Sequence, residues 1–107
     1  PLGLLTVPHF TDRHTSSGHL YLLRIPGIGV DRRNELIVQM AERGIATNVH
    51  FKPLPMMTAY KNMGFDIADF PNAYHQYENE ITLPLNTKLS DEDVEYIINN
   101  LLEILHE

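Results

Sequence analysis

Three features of the sequence predict an α+β fold: a small sheet of three or four strands, mainly antiparallel, covered on one face by helices. Leu20 to Ile25 alternates with a period of two and is apolar on both faces, as a central strand should be. Ser90 to Leu105 carries one apolar stripe at helical spacing. Between these, strand-like and helix-like stretches follow in the order strand, helix, strand, helix, helix, strand, helix, without repeats or low-complexity tracts. Short mixed elements of this kind build a two-layer unit around one core.

Taken in order, PLGLLTVPHFTDRHTSSG has no clear period and reads as a lead-in, with a short strand at Leu4 to Val7, rather than as a natural protein start. Its Leu2, Leu4, Leu5 and Val7 need a partner surface that the segment does not supply. Pro26-Gly27 breaks the strand over Leu20 to Ile25. Asp31 then caps a helix whose Leu36, Ile37, Met40 and Ala41 form the apolar face before Gly44 stops it. A short strand follows, with Thr47, Val49 and Phe51 on one face and Ala46, Asn48 and His50 on the other, until Pro53 and Pro55 end it. Pro55 opens a short helix through Met56, Met57 and Tyr60 that Gly64 closes. Asp69-Phe70-Pro71 opens another, with Ala73, Tyr74 and Tyr77 on one stripe, before the strand Ile81-Thr82-Leu83. The last helix has Ser90 as N-cap and Asp91, Glu92 and Asp93 at the positive end of its dipole, followed by Val94, Ile97, Ile98, Leu101, Leu102 and Leu105.

With 107 residues, 43% of them hydrophobic and 21% charged, the chain suits one ordinary globular domain with a modest core. A chain of this size buries about 65% of its unfolded surface. The 14 acids against 8 Lys and Arg give a formal charge of −6, which argues against a nucleic-acid partner. Without cysteine there is no disulfide, thiolate metal site or cysteine nucleophile, in keeping with a reducing compartment. No basic-then-apolar leader and no long apolar run occurs, so the cytoplasm is the expected location and no membrane partner is expected.

Few residues offer chemistry. The histidines at 9, 14, 19, 50, 75 and 106 form no pair at short helical spacing and join no carboxylate in a ligand pattern, so no metal site is expected. Ser16-Ser17-Gly18 lacks the strand-to-helix elbow of a catalytic serine. Gly27-Ile28-Gly29 lacks the third glycine of a phosphate loop and reads as a turn. The acids at 91 to 93 are explained by the helix dipole, and the Met56, Met57, Tyr60 and Met63 stripe reads as core. His50 stands out as an acid, base or hydrogen-bonding group on the polar face of a strand that Pro53 brings to an end. Spacing leaves two readings open for it, an ordinary hydrogen-bonded surface histidine or a ligand contact.

The order and spacing of three runs go further: GIATNVHFKPL at Gly44 to Leu54, FPNAY at Phe70 to Tyr74, and LPLNTKLSDEDV at Leu83 to Val94. Over about residues 18 to 105 the chain resembles the C-terminal small domain of the DegT/StrS sugar aminotransferases, fold-type I enzymes that use pyridoxal phosphate (PLP). The resemblance implies that residues 1–17 lead in from a missing large domain and that residues 18–107 are the small domain. It implies a parent that moves an amine from a donor such as glutamate to a nucleotide-linked keto sugar, in surface or capsular polysaccharide or deoxysugar biosynthesis. PLP would bind the parent, a homodimer, and not this chain by itself. In the family the large domain supplies the Schiff-base lysine, and none of Lys52, Lys61 and Lys88 matches that position, so no catalytic or cofactor residue is assigned. His50 matches the family histidine on the substrate side of the cleft, where it can bond the sugar or the phosphate part. Phe51 takes the next position, usually tyrosine, and leaves a ring without a hydroxyl to pack on substrate. Pro55, Met56 and Met57 replace a second histidine present in many members, which leaves the substrate subclass open. By the same resemblance the separate chain is inactive and prone to self-association. The alternative is a stand-alone ligand-binding or dimerisation module that uses the sheet's bare face.

Overall fold

The computed structural model describes residues 2–107. Its sheet has three antiparallel strands, β1 (Leu5–Thr6), β2 (Tyr21–Arg24) and β3 (Glu80–Leu83), in the order β1-β2-β3. The run that alternates from Leu20 to Ile25 is therefore the central strand, as its two apolar faces require. Leu23 pairs with Ile81, Arg24 with Glu80 and Leu22 with Thr82, while Thr6 of β1 lies opposite Leu23. This register gives the sheet two chemically different faces. Leu23 and Ile81 point into the core, whereas Arg24, Glu80 and Thr82 share the opposite face.

At the end of β2 the chain turns through Pro26 and Gly27, whose φ of 93° is open to glycine, and Ile28 N–H closes the turn on Ile25 C=O at 3.4 Å. Helix α1 (Val30–Glu42) begins earlier than the sequence predicts. Gly29 occupies the N-cap with extended backbone, and Asp31 sits inside the first turn without capping it, where its charge still suits the dipole. The buried face is Arg33, Leu36 and Met40, with Ile37 half-buried and Ala41 exposed. The apolar stripe thus begins one turn earlier than predicted, with an arginine in its first place. At the far end Gly44 N–H bonds Ala41 C=O and Ile45 N–H bonds Met40 C=O, both at 2.9 Å, and Gly44 has a φ of 75°. That is the Schellman pattern, and Ile45 folds back into the core beside Met40.

The strand predicted over Ala46 to Phe51 is reduced to one bridge, Asn48 to Thr82, on the outer edge of β3. Side chains take over the donors that a ladder would need. Val49 N–H bonds the Asn48 side-chain oxygen at 2.8 Å and His50 N–H bonds a Glu80 carboxylate oxygen at 3.1 Å. Phe51, expected to face inward with Val49, is 70% exposed. The helix predicted from Pro55 is also split. A 3₁₀ turn at Leu54–Met56 and the one-turn helix α2 (Thr58–Asn62) are separated by Met57 in extended conformation. Neither buries a residue, so the Met56, Met57, Tyr60 and Met63 stripe is not core, and Met63 is 70% exposed.

Helix α3 (Pro71–Glu78) starts at the proline as predicted, with Tyr74 and Tyr77 half-buried and Ala73 exposed. Helix α4 (Asp91–His106) starts at the Ser90 cap. Ser90 Oγ accepts from Asp93 N–H at 3.1 Å while Asp93 accepts from Ser90 N–H at 2.9 Å, a full capping box. Its buried residues are Ile97, Leu101 and Ile104, with Val94 and Ile98 left on the open flank. Ile104, absent from the predicted stripe, is fully buried. The single core joins Leu23, Ile25 and Ile81 to Leu36, Met40 and Ile45 and to the buried face of α4. An apolar groove of about 450 Å³ remains between α4 and the sheet, lined by Leu4, Tyr21, Leu83, Leu89, Val94 and Ile98 among others.

Candidate functional site

His50 stands beside the first strand residues of β3, on the sheet face turned away from the core. The Asn48 bridge, with N–H to O distances of 3.2 and 2.7 Å, fixes the chain two residues before it. Alternation within β3 puts Glu80 and Thr82 on one side and Ile81 on the other, so a single register decides both the core contact and the polar cluster.

Three side chains form a continuous hydrogen-bonded line. The Thr82 hydroxyl donates to Glu80 Oε1 at 2.8 Å, and His50 Nδ1 lies 2.8 Å from Thr82 Oγ1. Glu80 Oε2 accepts from the His50 backbone N–H at 3.1 Å. Both carboxylate oxygens of Glu80, a residue 1% exposed, are therefore satisfied, which is the condition for burying such a group. His50 itself is half-buried, and among the described residues its Nε2 has no hydrogen-bond partner. The Phe51 ring meets the imidazole edge-on with centroids 4.7 Å apart. The arrangement can hold an imidazole in place and present one nitrogen to a ligand, beside an exposed aromatic face.

A second set of contacts fixes β3 from behind. Helix α3 ends just before β3, where its last carbonyls lack intrahelical donors. Arg33 donates to Tyr77 C=O at 2.7 Å with its guanidinium 4.7 Å from the Tyr77 ring centroid, and Arg24 donates to His75 C=O at 2.9 Å. Arg24 also bonds the buried Asn79 side chain at 3.1 Å. Two cations thus close the negative end of α3 and set the start of β3, where Glu80 lies.

Of the residues singled out from sequence, His50 and Phe51 are brought together, and His50 is on the polar face as expected. Glu80, Thr82, Arg24 and Arg33 were not foreseen as parts of the site. The alternation of Glu80 and Thr82 with Ile81 and Leu83 carried the signal, yet it points to His50 only once the pairing of Asn48 with Thr82 is known. Lys52, Lys61 and Lys88 are all exposed, and among the described residues no lysine is buried. No helix among the described residues is long and apolar enough to cross a membrane.

Comparison with known proteins agrees with this architecture. SpsC, the spore coat polysaccharide biosynthesis protein of Bacillus subtilis, is 36% identical over 96% of this chain and 27% of its own length. The PLP form of Spr1654 from Streptococcus pneumoniae superposes with a TM-score of 0.93 at 50% identity, covering 96% of this chain and 26% of that one. The aminotransferase TlmJ from Streptoalloteichus hindustanus superposes with a TM-score of 0.80 at 30% identity, over 97% and 26% of the two chains. The chain thus spans about a quarter of the length of the relatives it matches. The model of the DegT/DnrJ/EryC1/StrS aminotransferase family matches residues 2–102, and with the matching α+β fold this places the chain as a member of that family.

Proposed function

We propose that residues 18–107 are the small C-terminal domain of a PLP-dependent aminotransferase acting on nucleotide-linked keto sugars, with residues 1–17 leading in from its large domain. Family membership and the quarter-length match support this reading. The name of SpsC supports a place in polysaccharide or deoxysugar biosynthesis. The parent is read as a cytoplasmic homodimer that takes its amine from an amino-acid donor.

We assign PLP to the rest of the parent and to none of this chain's residues. Its three lysines are exposed, and none has the enclosed setting that an amine needs to be held against a cofactor. The cofactor and the proton-transfer chemistry it supports therefore fall to the rest of the parent. What this chain contributes is substrate contact, through His50 with its unpartnered Nε2 and through the exposed Phe51 ring. That unpartnered nitrogen, held beside an aromatic face, is the observation that carries the reading. Replacing His50 with Ala in the full-length enzyme should raise KM for the nucleotide sugar by about threefold to tenfold, the range of one neutral hydrogen bond. An unchanged KM would remove His50 from the binding site.

One observation favours a second role beside the first. The groove between α4 and the sheet leaves apolar side chains uncovered, which suits association with a second copy when the chain is alone.

A further inference from the structure

We infer that Glu80 and Thr82 are positioning residues that fix the tautomer of His50, so that its Nε2 faces the ligand as a hydrogen-bond acceptor. This rests on the reading of His50 as a substrate contact and adds which chemical group it takes. The number of protons available decides the tautomer. A hydroxyl has one, and the Thr82 hydroxyl donates it to Glu80 Oε1, 2.8 Å away. Thr82 Oγ1 can then only accept from His50 Nδ1 at 2.8 Å, so the imidazole proton lies on Nδ1. The His50 backbone N–H on Glu80 Oε2, at 3.1 Å, holds the carboxyl group in place for that contact. A neutral imidazole with its proton on Nδ1 carries a lone pair on Nε2. The group best matched to it is a donor, such as a sugar hydroxyl or amine, and not a phosphate oxygen, which would set lone pair against lone pair. Between the keto sugar and the phosphates of a nucleotide sugar, the site therefore takes the sugar.

The first test is long-range nitrogen–proton NMR on the chain labelled with ¹⁵N-histidine, at about pH 8, where an ordinary imidazole is neutral. A His50→Gln variant assigns the signal. The expected result is the Nδ1–H tautomer in the native chain, retained in Thr82→Ser and lost in Thr82→Val. An Nε2–H form in the native chain overturns the inference whether or not the variants fold, and so does an Nδ1–H form that persists in a folded Thr82→Val. The second test uses the full-length enzyme with His50→Ala. Inhibition constants for nucleoside diphosphates, which keep the ribose and phosphates but lack the keto sugar, should stay within twofold while KM for the nucleotide sugar rises. A matching loss of nucleoside diphosphate affinity would overturn the assignment to the sugar. An unchanged KM together with an intact Nδ1–H signal would overturn the substrate-contact reading and leave the tautomer relay standing.

Discussion

Arg33→Met is the substitution whose cost can be worked out most fully. Arg33 is 1% exposed and has no carboxylate within ion-pair distance among the described residues, so its charge is balanced by carbonyl oxygens. Methionine keeps most of the apolar stem and the volume, which limits any cavity. What disappears is the 2.7 Å hydrogen bond to Tyr77 C=O, about 1.5–3 kcal/mol for a charged donor, the favourable position of a cation at the α3 C-terminus, about 0.3–1 kcal/mol, and the 2.8 Å bond from Nε to the side-chain oxygen of exposed Asn34, which water can replace. The 3.4 Å approach to Glu80 C=O is too long to add much. The cation–π contact with Tyr77 is worth about 0.5–2 kcal/mol, but a thioether against the ring recovers much of it. Relief of desolvation works in the opposite direction and is smaller than usual, because the carbonyls left behind lose their donor and stay buried. The net expectation is a loss of about 3 kcal/mol, a large part of the stability of a domain this size. In urea unfolding the midpoint should fall with little change in slope, and Arg33→Lys should recover part of the loss through its single charged donor. A loss below about 1 kcal/mol in Arg33→Met would refute the view that Arg33 acts as the cap of α3.

Two further outcomes follow from α4. Asp93 is held below the usual aspartate range by the backbone N–H of Ser90, with the Ser90 hydroxyl adding to the effect. A carboxylate depressed in the folded state stabilises fully above its unfolded pKa, and the contribution is lost as pH falls through the lower folded value. Asp93→Asn should therefore be less stable than the native chain at neutral pH, with the gap closing on acidification; parallel stability curves across the carboxylate range would contradict this. On the open flank, Val94 and Ile98 are 42% and 45% exposed beside the apolar groove. The 107-residue chain should self-associate in sedimentation at high concentration, and Val94→Lys with Ile98→Lys should return it to a monomer. A native chain that sediments as a monomer throughout would show that the groove is not an association surface.

Elements whose signals are local were legible in the sequence. Ser90 with three acids behind it marks the start of α4, Gly44 marks the end of α1, and the alternation about Leu23 marks the central strand, because each depends on residues within a few positions. The failures share a cause as well. Asn48 and Glu80 offer side-chain oxygens to backbone donors, which stops the ladder after one bridge, and no period-of-two reading accounts for that competition. Arg33 is invisible to periodicity, which counts apolar residues, whereas the buried place on α1 faces carbonyls at the end of α3 and suits a guanidinium. The methionines after Pro55 obey helical spacing, yet Met56 is only half-buried and Met57 and Met63 are exposed, because the chain breaks at Met57 and the short helices bury no residue.

The candidate site combines both kinds of information, and Glu80 is where they meet. Its backbone opens β3 directly after the helix end that Arg33 and Arg24 close, and its side chain, on the face away from the core, receives both the Thr82 hydroxyl and the His50 backbone. The position of the imidazole is thus set by residues 30 and 32 places further along the chain, through a carboxylate that the core layer holds still. A histidine at the end of a failed strand would otherwise be free to rotate, losing the entropy advantage of a fixed rotamer when a ligand arrives. The polar face of this small sheet is therefore built as a support: buried carboxylate, then hydroxyl, then imidazole, with only the last nitrogen left for another molecule.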